Sequence, residues 1–460
     1  MEFTKLHFEN YKSLKNLTID LKKNSKGTKK LIAIYGENGA GKTNIIDALK
    51  NLCLSLITLE ANTEWSNIMA KQSQNNDEES KSPQMNFKKM VFFDNHRNIE
   101  KVFKNAHMIG EKENTRIVYD FDIHGRKGTY EFDFSSQNEL VKEKLEYVVN
   151  KRKGLLFEIK KDVETDNLVE KYNRVLIKNR DLKSDIRKEV KKFWGKHSFL
   201  SILNFILSDD NYEKNFLKEN ISLRLIEIIN EFKSFLFYKH SEIETTEKTI
   251  KFENVLLDFS VGFLKNTNDS VDKIRNTEDL LNEILPRLSS SISYVKYDIK
   301  NINESIIKYE LILCKVIGGK NRDIRFIDES DGTKNVIKIL PLILGAMAGK
   351  VVIIDEIDNG IHDLLMEGII QEFKDYINGQ LIFTTHDTLL MKNLDKGCVY
   401  LLNIDANGNK EAYSLDEFSI KNSDGQNKTK QYLEGKFDAI PYIDRINLNY
   451  VNKILNRKEE

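Results

Sequence analysis

Apolar and polar residues alternate near the start of the chain: Leu6 and Phe8, then Leu17, Ile19 and Leu21, lie two apart with polar neighbours between them. A period of two predicts a pair of half-buried strands. Leu31-Ile32-Ala33-Ile34-Tyr35 is instead continuously apolar, as in a strand covered on both faces. A glycine-rich turn follows. Ile45, Ile46, Leu49, Leu52, Cys53 and Leu56 then mark one face of a helix. From Lys71 to Asn86 the chain is rich in Gln, Asn, Ser, Asp and Glu, and it predicts a mobile surface loop. Strand-like patterns resume at Thr115–Ile123, Gly128–Phe134, Leu140–Val149 and Leu155–Ile159, and together predict an antiparallel β-lobe.

Between about Leu168 and Leu288 the period becomes helical. Leu168, Tyr172, Val175, Leu182, Ile186, Val190 and Phe193 recur three, four or seven apart, and Leu225, Ile228, Ile229, Phe232, Phe235 and Leu236 mark a second helix. The repeat is too short for a long coiled coil, so a helical insertion or stubby arm is expected. Strand character returns at Ile292–Ile299, Tyr309–Val316 and Ile324–Ile327. An apolar helix over Ser330 to Leu344, the run Val351–Ile354 and a last strand, Leu381–Thr384, complete the reading. Four segments result: residues 1–165 and 291–445 as two halves of one head, 166–290 as a helical insertion or oligomerisation lobe, and 446–460 as a tail.

Composition narrows the class. A chain of 460 residues is too long for one ordinary core. Lys plus Arg equals Asp plus Glu at 71 each, and the basic excess of a dedicated nucleic-acid binder is missing. Basic clusters such as Lys151-Arg152-Lys153, and Arg187 with Lys188, Lys191 and Lys192, read as solvated surface. Three cysteines without metal-ligand spacing point to a reducing compartment and no structural zinc. Pro341 and Lys350 interrupt the most apolar stretch, Ile339 to Ile354, and no secretory leader pattern opens the chain, so a cytoplasmic protein is expected.

Candidate chemistry centres on Gly36-Glu-Asn-Gly-Ala-Gly41-Lys42-Thr43, which satisfies GxxxxGK[ST] in full. Glycines let backbone N–H groups turn inward around a β-phosphate, and the next helix aims its positive end at the same anion. Gly36, Asn38, Gly39, Ala40, Gly41, Lys42, Thr43 and Asn44 form the nucleotide-binding set. Lys42 would pair with the β- and γ-phosphates, and the Thr43 hydroxyl would ligate Mg²⁺. Val351–Ile354 ends in Asp355 and Glu356, at the strand end where a parallel sheet binds its ligand. Asp355 could hold the Mg²⁺ shell and Glu356 could act as general base. The next buried strand ends near His386, a candidate γ-phosphate sensor. Ser330-Asp331-Gly332-Thr333 precedes a helix and reads either as a second anion site or as an ordinary N-cap.

These parts in this order resemble the ABC-type ATPase heads of the SMC, RecF and OLD group. The resemblance implies an α/β fold: a P-loop head with a mixed sheet and an antiparallel β-lobe, interrupted by a helical insertion or short arm. It implies ATP and Mg²⁺ as cofactors. It also implies that Ser330, Gly332 and Thr333 of one subunit close on the phosphate loop of another, while Lys42, Thr43, Asp355, Glu356 and His386 act within one chain. Asp358 and Asn359 would lie on the loop linking the two sites. Glu329-Ser-Asp-Gly-Thr-Lys334, Asp355-Glu-Ile-Asp-Asn-Gly-Ile-His362, Phe383-Thr-Thr-His-Asp387 and Tyr432-Leu-Glu-Gly-Lys-Phe-Asp-Ala-Ile-Pro441 look like the bacterial abortive-infection ATPases of the RloA and AriA kind. The likeness covers roughly residues 1–160 and 290–445.

There are departures. Glu329 replaces the usual leucine, the fuller transporter motif is missing, Lys396 is a poor counterpart of a basic residue after the histidine strand, and Gln137 is a weak candidate for the Mg²⁺-reading glutamine. About seventy residues follow His386, too few for the nuclease (TOPRIM) domain of OLD relatives. Glu158-Ile-Lys160 looks locally like a nuclease motif but reads as incidental on a charged lobe. Three functions stay open. One is an oligomeric regulatory ATPase, at least a dimer, holding a separately encoded effector such as a TOPRIM-type nuclease and answering a phage trigger protein. The second is a repair ATPase closing on duplex DNA, against which the acidic-basic balance argues, with DNA binding itself left open. The third is a plain nucleotide hydrolase. No membrane partner is expected.

Overall fold

The computed structural model describes residues 1–23, 27–74, 83–149, 151–162, 164–165, 167–209, 213–239, 242–244, 254–418, 428–437, 439 and 445–455. A mixed sheet holds the centre. Its parallel strands run in the order Leu236–Lys239, Val351–Ile354, Gln380–Thr384, Leu31–Gly36 and Val399–Ile404, with Glu242–Glu244 and Lys410–Ser414 antiparallel at the two edges. Strand periodicity divides the residues between two cores. Ile32, Ile34, Val351, Ile353 and Ile382 face one; Leu31, Ala33, Tyr35, Val352, Ile354, Leu381 and Phe383 face the other. Coverage on both faces is why these strands read as unbroken apolar runs.

The first core lies between this sheet and a seven-stranded antiparallel sheet formed from Glu2–Tyr11, Leu14–Asp20, Thr115–Ile123, Arg126–Phe134, Leu140–Val148, Lys153–Lys161 and Leu168–Tyr172. The helix Lys42–Ser55 packs within that core, where the buried Tyr119 hydroxyl donates to the Ala48 carbonyl at 2.7 Å. The second core carries the helices Asp331–Met347 and Asp363–Phe373 and a smaller antiparallel sheet of Val261–Lys265, Ile292–Asn303, Ile306–Ile317 and Lys320–Arg325. The helix Asn268–Leu288 lies along this sheet. Its Asn282 side chain bonds both the N–H and the carbonyl of Val295, and Glu278 accepts from Tyr297 N at 2.7 Å, so the outer edge of that strand is capped.

The middle of the chain differs from its expected helical character. Leu168–Tyr172 is a strand pairing Lys161 through Phe157 and extends the large sheet. The second helix spans Leu223–Lys233; Phe235 lies beyond it, and Leu236 begins a strand of the central sheet. Leu-Phe-Tyr suits a strand, but four residues are too few to show a period. Val261–Lys265, also within the expected insertion, is a strand. Leu381–Thr384 is not the last strand either, since the hairpin Val399–Ile404 and Lys410–Ser414 follows it. Of the expected loop over Lys71 to Asn86, Lys71–Gln74 ends one helix and Pro83–Asn86 begins another, while 75–82 lie outside the described residues. Among the described residues, no helix is long and apolar enough to cross a membrane.

Candidate active site

The phosphate loop leaves the buried strand Leu31–Gly36 and enters the helix at Lys42. Gly41 takes φ 101°, left-handed backbone that any other residue would strain to adopt, and a Cβ there would meet Leu14 Cδ2 at 2.7 Å. The Lys42 ammonium donates to the carbonyls of Gly36 at 2.8 Å and Glu37 at 3.2 Å. Burial pushes the Lys42 pKa down. The negative charges of Asp355, Glu356, Asp358 and Glu37 oppose this without cancelling it. The Asn44 amide donates to Ser13 Oγ at 2.8 Å and ties the helix start to the first hairpin.

Val351–Ile354 delivers the acid pair beside this loop. Thr384, on the neighbouring strand, holds both acids: its hydroxyl donates to Asp355 Oδ1 at 2.7 Å and accepts from Glu356 N at 2.7 Å. Glu356 has φ 54°. A non-glycine residue in that region costs about 1–2 kcal/mol, of which one hydrogen bond returns about 1 kcal/mol. Strain concentrated at a candidate general base is the pattern expected of a functional residue. His386 N donates to Asp358 Oδ2 at 3.1 Å. Burial and the nearby Lys42 charge lower the His386 pKa, while Asp358 and Glu356 raise it; the net direction is down. That direction favours the neutral ring, which can exchange hydrogen bonds with a water or a phosphate oxygen.

Gly36, Glu37, Asn38, Glu356, Asp358, Asn359, His386 and Tyr432 line one cleft of about 460 Å³. Gly36 and Asn38 thus meet Glu356 and His386 from the other end of the sequence, while Lys42, Thr43 and Asp355 are not among the lining residues. Ser330, Gly332 and Thr333 are not among its lining residues. Ser330 caps the helix Asp331–Met347, its Oγ accepting from Thr333 N at 3.4 Å and lying 2.9 Å from Thr333 Oγ1. This helix touches the linking loop of its own chain. Asn335 Nδ2 donates to the Asn359 carbonyl at 2.9 Å, and a Cβ on Gly332 would meet the Gly360 carbonyl at 2.8 Å. Glu329 is buried and ion-paired with Lys315 at 2.6 Å, a polar replacement for the usual leucine.

Gln137 lies in the turn between Arg126–Phe134 and Leu140–Val148. It lines a separate cavity of about 1870 Å³ with Asn44 and Asp47, and is not among the lining residues of the acid-pair cleft. Glu158 is held by Lys171 at 3.0 Å. Thr384 and Tyr432 escaped the sequence reading of the site. A threonine before the histidine motif was a visible signal for the first; the second packs edge-on against Tyr35 through a fold contact no spacing announces.

The donor set fits a magnesium ion. Thr43 offers an exposed hydroxyl and Asp355 a carboxylate, hard oxygen ligands that leave positions for water and phosphate. Several carboxylates act on Lys42 from nearby, an excess of negative charge that a divalent cation would offset. When bound, the ion would supply charge neutralisation at the phosphates. With nucleotide bound, Lys42 and the loop N–H groups would bind the phosphates, Glu356 would take a proton from water, and His386 would orient that water.

A phosphate loop leaving a parallel strand of a mixed sheet, with Glu356 and His386 lining the same cleft, defines a P-loop nucleotide-binding domain. The family described as "AAA domain, putative AbiEii toxin, Type IV TA system" matches residues 31–392, and the chain belongs to it. Membership implies ATP hydrolysis, usually with Mg²⁺. No curated protein matches. Solved structures similar in fold include an SMC head bound to the C-terminal winged-helix domain of ScpA, with 16% identity, TM-score 0.44 and coverage of 91% of this chain and 99% of that one. Another is the SMC head domain from Thermotoga maritima, with 14% identity, TM-score 0.38 and coverage of 90% and 99%. A third is an SMC head with an extended coiled coil, bound to a ScpA domain derived from Pyrococcus furiosus, at 15% identity, TM-score 0.40 and coverage of 90% and 97%.

Proposed function

We propose that this chain is the ATP-hydrolysing regulatory scaffold of a bacterial abortive-infection system. It assembles through ATP sites shared between subunits and controls a separately encoded effector, such as a TOPRIM-type nuclease, in answer to a phage trigger. One observation carries the reading. Gly36 and Asn38 of the phosphate loop share one cleft with Glu356 and His386, while Ser330 caps an exposed helix start whose next turn packs on the linking loop. A site completed by a second copy makes hydrolysis depend on assembly, as a switch requires. The family description supports the abortive-infection context, and the resemblance of the quoted tracts to RloA- and AriA-like ATPases is the second ground for it.

The general-base role of Glu356 is tested by Glu356→Gln. The variant should bind ATP as the wild type does, accumulate as a closed ATP-bound assembly, and lose turnover by about 100-fold or more. Wild-type turnover in that variant would remove Glu356 from the mechanism. Copurification from its native cells with mass spectrometry tests the partner: a stoichiometric effector supports the scaffold reading, and duplex DNA as the sole companion supports the repair alternative.

A further inference from the structure

The strand Leu236–Lys239 lies beside the acid strand, and three contacts tie it to the parts of the ATPase site. Tyr238 O accepts from Asp355 N at 2.9 Å, extending the parallel ladder to the first acid. The Tyr238 hydroxyl donates to Asn335 Oδ1 at 3.4 Å, and Asn335 in turn holds Asn359 of the linking loop. Lys239 ends the strand at its carboxyl side, where an open α/β sheet binds its ligand. Its ammonium reaches the phosphate-binding helix and meets Asp47 Oδ1 at 2.6 Å. The other Asp47 oxygen meets Lys12 of the first hairpin at 2.7 Å. Side-chain exposures of 14% for Lys239 and 21% for Asp47 put the pair largely out of solvent, where it is screened less than a surface pair. Burial alone would raise the Asp47 pKa, but bonding and charge from Lys12 and Lys239 outweigh it and the net direction is down.

We propose that Lys239 is a positioning residue of this ATPase. Through Asp47 it fixes the strand Leu236–Lys239 against the phosphate-binding helix, and through Tyr238 that strand sets Asp355 and Asn335 relative to the phosphate loop. The cation touches neither the acid pair nor the lining of the cleft; it acts through the strand. The inference rests on the ATPase reading above and adds a residue to it. In sequence, the strand stands between the helices of residues 180–233 and the strands beyond residue 260.

Lys239→Met is a clean test because Asp47 keeps Lys12 as a partner and no buried carboxylate is orphaned. The variant should bind ATP with a Kd within about threefold of wild type while kcat falls about tenfold or more, a loss confined to the chemical step. Lys239→Arg should recover kcat to within about threefold, since the charge and reach are restored. Lys239→Met combined with Asp47→Asn should lose no more than the worse single variant, as expected for two residues acting as one unit. A purely structural role predicts a lowered Tm with unchanged kcat per folded molecule, and that result would overturn the proposal. So would failure of arginine to rescue, or additive losses in the double variant. If the wild type itself hydrolyses no ATP, the functional reading fails; if it does and Lys239→Met matches it, this inference alone fails.

Discussion

Glu143 is fully buried, and four donors converge on its carboxyl: Tyr130 OH at 2.7 Å, Trp194 Nε1 at 2.8 Å, Phe199 N at 2.7 Å and Leu200 N at 3.4 Å. The group joins the large sheet to the start of the helix Phe199–Ser208. Burial raises its pKa from 4.5 to about 7 against the pull of those donors. The sign of the linkage follows. Well below pH 4.5 both states are protonated and the contribution to stability is whole; as pH rises through 4.5 the unfolded chain ionises first, and stability is lost until the folded group ionises near pH 7. The loss between pH 4 and 8 is on the order of 3 kcal/mol. Denaturant unfolding at pH 5 and pH 8 should show it in the wild type, and Glu143→Gln should show a smaller difference while being less stable at both. An equal pH dependence in the variant would assign the effect to other groups. At this scale the phosphate loop was legible because its chemistry is local and its glycines mark the backbone. Glu143 was not, because its partners come from helix and sheet residues far along the chain.

Between elements, the helix Asp331–Met347 comes close to the loop after the acid pair. Gly332→Ala would set a methyl at 2.8 Å from the Gly360 carbonyl, and a backbone oxygen cannot rotate away as a side chain does. Overpacking of this kind costs about 1–3 kcal/mol. A shift of the loop away from the methyl would loosen the Asn335–Asn359 bond. Turnover should fall about tenfold, with ATP affinity of the isolated chain unchanged. Phosphate release and a binding titration check both halves, and full turnover would show that this contact does not matter. Periodicity found the long elements and failed where they are short. Phe232, Phe235 and Leu236 keep helical spacing across Ser234, so the strand Leu236–Lys239 merged with the preceding helix until the sheet showed where it pairs. The final hairpin was a plainer omission: Val399-Tyr400-Leu401-Leu402 and the turn Asn407-Gly408 carry ordinary strand and turn signals.

For the whole molecule, the decisive question is whether one chain holds a complete ATP site. The cleft gathers residues from both ends of the sequence, so the two halves of the head are necessary to each other. Its lining does not include Ser330, which caps an exposed helix start whose next turn touches the linking loop. If a second copy supplies Ser330, a two-fold dimer has two sites, each built from one subunit's loop and the other's Ser330. Lys42→Ala then breaks the loop half and Ser330→Ala the other half, so each pure variant is inactive. Mixed, half the dimers are heterodimers at random pairing, and each of these has one intact site and one doubly broken site. Recovered activity should therefore approach about a quarter of wild type, provided the sites fire independently. Activity that stays at zero in mixtures shown by mass to contain heterodimers would mean either that both sites must fire together or that Ser330 serves its own chain. Titrating wild type with the Lys42→Ala variant separates these: obligatory coupling makes heterodimers dead, whereas cis action leaves every wild-type chain active and the rate linear in its amount.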